Sequence, residues 1–407
     1  MEYSIQKLGS ETYGERSKLS QFAFQYRLSD EQLEKRRQAE AELPSDIWGV
    51  YVNGQLAAQL TIFQLQTYIG GKPFDMGGIA GVSTWPEYRR QGFVNKLLRK
   101  ALLEMRSAGQ SVSMLHPFAF AFYRKFGWET YIEYKQYTLK TDQLPRRFSY
   151  SGRIERIDGQ IDVLSRIYDR FAAQYNGTLV RSASWWQQRV LKKEEQAAVY
   201  YDAGGEPCGY ILYGVKEKKM TISEWVACDE DAYSALWSYV GQHDSMIDSV
   251  SVNMPADDLL AYRLDNPRIQ QEIVPYFMAR IVDAAAFVGK YAFQEGAGET
   301  VITLSLKDEH APWNNGSFKL VIAENGAAEF TPVLVETPET TRAQKQTDAP
   351  ECTIETNIGT LTALLLGYRS WDELCRLGRI TGSVTDGKAL EFASRIPAGK
   401  TYLADFF

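Results

Sequence analysis

Cysteine and histidine are scarce: four Cys and three His in 407 residues. Cys208, Cys228, Cys352 and Cys375 fall into no CxxC or Cys/His spacing. A zinc site or disulfide framework is therefore not expected, and reduced thiols of a cytoplasmic protein are. No run of about 18 apolar residues occurs, so no membrane-spanning helix is expected. The opening stretch MEYSIQKLGSETYGERSK has no apolar h-region, so neither is a signal peptide. A basic excess is missing too: 45 Lys and Arg against 51 Asp and Glu leave −6. That is the wrong sign for a nucleic-acid scaffold, though it suits a cationic ligand. Neither a Walker loop nor a GxGxxG dinucleotide fingerprint is present.

What is there belongs to an ordinary globular chain, 44% hydrophobic and 24% charged. Its length suits two or three domains of about 150 residues. Tyr3 to Leu8 reads as a strand, and Thr12 to Gln25 and Asp30 to Glu42 read as helices. Trp48 onward alternates, Asn53-Gly54 turns, and Gln55 to Phe63 returns as a hairpin. Gly77 to Thr84 is a further strand. Phe93, Val94, Leu97, Leu98, Ala101, Leu102 and Met105 mark one face of a helix that Gly109 stops. Val112 to His116 is a buried strand, Ala119 to Phe126 a short helix, and Trp128 to Leu139 a strand.

A degenerate second copy of this order follows. Ala198 to Gly214 repeats the hairpin, Met220 to Val226 and Met246 to Asn253 are strands, and Ala232 to Val240 is a helix. From about residue 281 the texture changes. Val301 to Leu306 and Ser317 to Ala323 suggest a β-meander, with a turn at Asn325-Gly326. Residues 337–351 look like an exposed polar loop. Ile358 to Leu366 and Ser370 to Leu377 look helical.

The chemistry gathers in the first copy. After Val82-Ser83-Thr84 the chain reads Arg89-Arg90-Gln91-Gly92 and opens a helix at Phe93-Val94-Asn95. A helix N-terminus offers free N–H groups and partial positive charge, Gly lets the backbone approach a ligand, and Arg adds charge. That is the anatomy of a pyrophosphate cradle, and the alternative for these residues alone is a solvated loop before an ordinary helix start. The second copy has Cys228-Asp229-Glu230-Asp231 at the matching place, where carboxylates would repel a pyrophosphate, so it is not expected to bind one.

Strand, Arg-x-x-Gly turn, helix, strand, then Phe122-Tyr123-x-x-x-Gly127-Trp128 resembles the GCN5-related N-acetyltransferases (GNAT) over residues 75–137. The whole layout resembles the Eis (enhanced intracellular survival) acetyltransferases, including Arg181-x-x-x-Trp185-Trp186-x-x-Arg189 and Met278 to Asp283. The resemblance implies a mixed α/β (α+β) chain. Residues 1–145 would be a GNAT domain binding acetyl-CoA and 146–285 a degenerate GNAT-like domain. Residues 286–407 would be a sterol-carrier-like domain with a catalytic C-terminus. It implies that Arg89, Arg90, Gln91, Gly92, Phe93, Val94 and Asn95 hold the pyrophosphate, that Val82, Ser83 and Thr84 line the pantetheine, and that Phe118 and Ala119 lie beside the thioester. Val94 departs from the family's usual Gly or Ala and could narrow the groove. Tyr123 would be the general acid and the terminal carboxylate of Phe407 the base, with His116 structural. The implied acceptors are primary amines of aminoglycoside-like or polyamine-like molecules, and the implied assembly is a homo-oligomer, a hexamer in the family. Carboxylates are expected around the amine cleft. No metal is expected. The alternative is a non-catalytic CoA- or lipid-binding regulatory protein.

Overall fold

The computed structural model describes residues 2–145, 148–192, 194–333 and 352–407. The loop expected at 337–351 lies outside them. The first strands are β1 (Tyr3–Lys7), β2 (Ser45–Val52), β3 (Gln55–Ile69), β4 (Lys72–Thr84), β5 (Val112–Leu115), β6 (Glu129–Thr130) and β7 (Glu133–Lys140). Asn53 and Gly54, with φ of 49° and 78°, make the expected turn between β2 and β3. A second hairpin, missed in the sequence, joins β3 to β4 through Gly70 and Gly71. Its Gly-Gly pair was a readable turn signal.

The helices of this half are α1 (Tyr13–Ala23), α2 (Asp30–Glu42), α3 (Phe93–Ser107) and α4 (Phe120–Arg124). Helix α3 buries Phe93, Leu97, Leu98, Ala101, Leu102 and Met105. At about 1.5–3 kcal/mol per buried apolar side chain, packing on the sheet fixes this helix more than propensity does. Helix α2 is the opposite case and buries no residue. A capping box of Ser29 and Gln32 starts it, an Arg16–Glu40 ion pair of 2.7 Å ties it to α1, and Tyr13 donates to the Leu33 carbonyl at 3.1 Å.

The second copy supplies β8 (Arg153–Ile157), β9 (Gln196–Tyr201), β10 (Pro207–Lys216), β11 (Lys219–Ala227), β12 (Ser249–Pro255), β13 (Gln270–Pro275) and β14 (Met278–Ile281). The two sheets exchange strands. Their orders are β1-β2-β3-β4-β5-β14-β6 and β13-β7-β12-β11-β10-β9-β8. Trp128 to Leu139, expected as one strand, is two: β6 stays in the first sheet and β7 joins the second. Tyr131 and Ile132, both buried, make the crossing, and both N–H groups donate to the Phe277 carbonyl. In return β14 inserts between β5 and β6, antiparallel to both. Met246 to Asn253, also expected as a strand, begins instead at Ser249.

The last domain has β15 (Thr300–Lys307), β16 (Gly316–Ile322), β17 (Ala328–Pro332), β18 (Thr353–Asn357) and β19 (Thr381–Gly382), in the order β17-β16-β15-β18-β19. The helix Ile358–Leu365 is buried along its whole length. Ile302, Leu304 and Leu320 share one core with that helix and with Met76 and Met114 of the first sheet. A buried Arg280–Asp308 pair ties this domain to β14, and Arg280 also donates to the Phe126 carbonyl behind α4. No helix among the described residues is long and apolar enough to cross a membrane.

Candidate active site

Strands β4 and β5 run parallel, paired from Met76–Val112 to Ile79–Leu115, and no further. Beyond that point they fork. β4 bulges at Gly81, where its register against β3 shifts, and Ser83 and Thr84 continue along β3. Val82, Ser83 and Thr84 therefore present a strand edge without a partner on the β5 side. The Ser83 hydroxyl is turned inward and donates to the Gly81 carbonyl at 3.1 Å.

Past the fork, Arg89 is extended, Arg90 has φ 62° and Gly92 φ 78°. Alternation of ordinary and left-handed residues turns successive N–H groups toward one point, an anion nest. The first helical bond of α3 is Lys96 N–H to the Gly92 carbonyl at 3.1 Å. The N–H groups of Phe93, Val94 and Asn95 thus have no helical acceptor, and Gly92 has no side chain to cap them. Arg89 and Arg90 are exposed, and among the described residues neither has an ion-pair partner. The Gln91 amide donates to the Glu87 carbonyl at 3.2 Å. Donors, dipole and charge all fit a pyrophosphate.

The second copy closes the same place. Helix Glu230–Gly241 starts at Asp229, whose carboxylate accepts from the Ala232 N–H at 2.8 Å. A side-chain anion already sits where a phosphate would bind.

A Cβ at Gly92 would meet no atom within 4 Å, so the backbone alone resists substitution. Gly92→Ala should cost about 1–2 kcal/mol through its left-handed conformation. It should also raise the KM for acetyl-CoA, because the methyl stands where the phosphate approaches. Thermal denaturation and initial rates check both. An unchanged KM would sink this placement.

The other arm of the fork is His116-Pro117-Phe118-Ala119, which leads into α4. Tyr123 on α4 is 2% exposed, with its ring against Phe118, Phe122 and Trp128. Burial raises its pKa, so the phenol keeps its proton. Its hydroxyl has no hydrogen-bond partner among the described residues. Phe118 is 70% exposed, and Ala119 is the extended residue before α4.

The chain's last residues reach the same fork. The Phe407 ring is buried against Phe63, Trp185 and Phe277, and a Cβ on Gly78 would stand 2.8 Å from it. Gly78 is one pair short of the fork. Phe406 lies edge-on to His116, the first unpaired residue of the other arm, at 5.1 Å between centroids. Tyr276 and Phe277 also flank His116, and this burial lowers its pKa, keeping the imidazole neutral near pH 7.

A clamp missed in the sequence holds this tail. Asp405 accepts from Arg181 Nε at 3.0 Å and from Trp185 Nε1 at 2.7 Å. Arg181 also forks onto Glu224, and its guanidinium lies over the Tyr168 ring. All three charged side chains are within a few per cent of fully buried. The Tyr276 hydroxyl donates to the Asp405 carbonyl at 3.0 Å. The signal was a lone carboxylate in an apolar tail and an Arg before two Trp.

On the Phe407 face of the sheet, a cavity of about 430 Å³ opens between α1, α2, β3 and the segment at Gln188–Arg189, and it reaches Gly81 and Phe63. Its charged lining is Arg16, Arg36, Arg189 and Glu40. Three arginines and one carboxylate thus face this cavity. No group of three or more His, Cys, Asp or Glu able to hold a metal occurs among the described residues.

Comparison with known proteins agrees with this layout. Acetyltransferase (GNAT) domain models match residues 4–131 and 177–281, and a sterol carrier protein domain matches 284–404. An uncharacterized N-acetyltransferase of Streptomyces griseus is 25% identical over 403 residues, 90% of this chain and 91% of that one. The N-acetyltransferase Eis of Mycobacterium tuberculosis is 26% identical over 279 residues, 63% and 65% of the two chains. Among solved structures, a probable N-acyltransferase of Enterococcus faecalis has a TM-score of 0.88 and 28% identity, covering 100% of both chains. Eis1 of Mycobacterium abscessus shares the fold, with a TM-score of 0.78 and 18% identity over 99% and 100%. Two GNAT domains and a sterol carrier domain, in this order and on this fold, place the chain among the GCN5-related N-acetyltransferases of the Eis type, enzymes that transfer acetyl groups from acetyl-CoA.

Proposed function

We propose that the first domain acetylates a primary amine from acetyl-CoA at the β4/β5 fork, with Tyr123 and the C-terminal tail as its chemical groups. The observation that supports this reading is that one arm of the fork leads into the uncapped start of α3, the other leads into α4 with its buried Tyr123, and Phe406 of the tail packs on His116 where the arms part. The strand edge at Val82–Thr84 would pair with the pantetheine, the nest at Arg89–Asn95 would take the pyrophosphate, and Phe118-Ala119 would border the thioester. The amine lone pair forms a bond to the thioester carbonyl carbon and the C–S bond breaks. Tyr123 donates its proton to the departing thiolate. The proton lost from nitrogen passes to the carboxylate of Phe407, directly or through water, and returns to the phenolate by solvent. A terminal carboxylate, with a reference pKa near 3.5, is a weak base. Its larger effect is to orient the ammonium before that proton leaves.

Resemblance suggests aminoglycoside-like acceptors, whose several cations match the arginine-rich cavity poorly. The same reading makes the protein a cytoplasmic homo-oligomer, with a hexamer implied by resemblance and measurable by light scattering.

The test is release of CoA thiol from acetyl-CoA with a panel of amines, for the protein as given and for one extended beyond Phe407. Turnover with at least one amine, cut about tenfold or more by the extension, is the expected result. Equal turnover of the extended chain would remove the tail from the chemistry. Silence with every amine would leave the CoA-binding regulator.

A further inference from the structure

The cavity beside the fork is electrostatically one-sided. Arg16 is neutralised, since Glu40 takes both of its terminal nitrogens at 2.7 and 3.1 Å. That leaves Arg36 and Arg189, and among the described residues neither has a carboxylate within ion-pair distance. Arg36 sits over the Tyr26 ring at 5.0 Å, and Arg189 over Phe63 and Trp185 at 5.6 and 5.7 Å. The two come from segments far apart in sequence yet face the same space. The surplus also runs against the chain's overall −6, so it is no reflection of a basic protein.

Two guanidiniums brought together without an anion between them repel, and the repulsion is relieved when one binds. Desolvation against the rings disfavours the Arg189 charge, and the nearby Arg36 disfavours it further. A planar, two-donor head is well matched to a carboxylate or phosphate. The cavity borders the fork: it reaches Gly81 on β4, and its wall residue Phe63 also packs on the Phe407 ring. Its volume suits a small molecule.

We infer that this cavity is the acceptor pocket and that the acceptor is a small amine bearing an anionic group, carboxylate or phosphate, which Arg36 and Arg189 bind while its amine points to the fork. The inference rests on acetyl transfer at that fork.

Paired acceptors that differ only in the anion test it: β-alanine against propylamine, and phosphoethanolamine against ethanolamine, with an aminoglycoside as the polycation. The full chain and an Arg36→Gln/Arg189→Gln double variant are compared, with Arg36→Lys/Arg189→Lys as the charge-preserving control. The expected kcat/KM favours the anionic member of at least one pair by roughly ten- to a hundredfold. That ratio should collapse in the Gln variant and partly return in the Lys variant. Which pair shows the preference tells carboxylate from phosphate. A better rate with the aminoglycoside or with the amines lacking an anionic group, or a ratio that the Gln variant leaves intact, overturns the pocket assignment while acetyl transfer stands. Calorimetric titration of the same compounds separates the two ideas further. Anion-dependent binding lost in the Gln variant, with no acetyl transferred, upholds the pocket and overturns the transfer reading. Absence of both binding and transfer overturns both.

Discussion

Replacement of Tyr123 by Phe is expected to slow acetyl transfer by about a hundred- to ten-thousandfold, the usual weight of a positioned general acid. The change should fall on kcat, with the KM for acetyl-CoA nearly constant, because nest and strand edge are untouched. The ring is buried among Phe118, Phe122 and Trp128, so the phenylalanine keeps its packing. The missing hydroxyl has no hydrogen-bond partner in the protein among the described residues, so stability should hardly move. The pH profile gives a second readout. Burial raises the Tyr123 pKa above its ordinary value near 10, so the proton to be donated remains in place throughout the neutral range and above it. Below pH 10 no alkaline fall in rate should come from this group. A rate within twofold of the parent would remove Tyr123 from the mechanism, and an unstable Tyr123→Phe protein would make it a packing residue.

Arg181→Met should be the most damaging substitution for the tail. It deletes the one cation between Glu224 and Asp405 and leaves two buried carboxylates facing each other. Breaking such a buried pair costs about 3–5 kcal/mol. For a domain of this size that lowers the first melting transition by roughly 10 °C. Arg181→Lys should rescue only part of it, since an ammonium lacks the fork that serves two carboxylates at once. The damage should be local before it is global. With Asp405 released, Phe406 leaves His116 and Phe407 leaves Gly78, so protease should clip the tail first and acetyl transfer should fall with it. An unshifted melting transition with a protected tail would show that the clamp carries no load.

Much of the first domain was legible in the sequence because its signals are local. The Asn53-Gly54 turn, the apolar stripe of α3 and the Arg89–Gly92 nest each lie within a few residues of one another. The closure of the second copy was legible for the same reason, since Asp229 stands where Gly92 does and a carboxylate there fills the helix start. The illegible parts depend on distant residues. Nothing between Trp128 and Leu139 breaks the strand pattern, because Tyr131 and Ile132 cross between sheets in extended, buried backbone. Arg181 and Asp405 were visible as residues, but 224 positions separate them. The charge of the cavity beside the fork could not be read from the sequence, because net charge is a sum over the chain, whereas a cavity keeps only the side chains that tertiary packing turns toward it, here Arg16, Arg36, Arg189 and Glu40.

The exchange of β7 and β14 also bears on how the chain is made. When β5 and β6 leave the ribosome, the strand that belongs between them has not been synthesised. At about 5–20 residues per second, the whole second domain must be translated first, a wait on the order of ten seconds. During that interval the first sheet carries two unpaired edges beside the apolar α3 face, an invitation to wrong partners. A messenger truncated after the first domain would encode a sheet with a slot in it, not a small working acetyltransferase. A late-arriving strand is thus built into the topology, and splitting the chain after the first domain would require supplying Met278–Ile281 in trans.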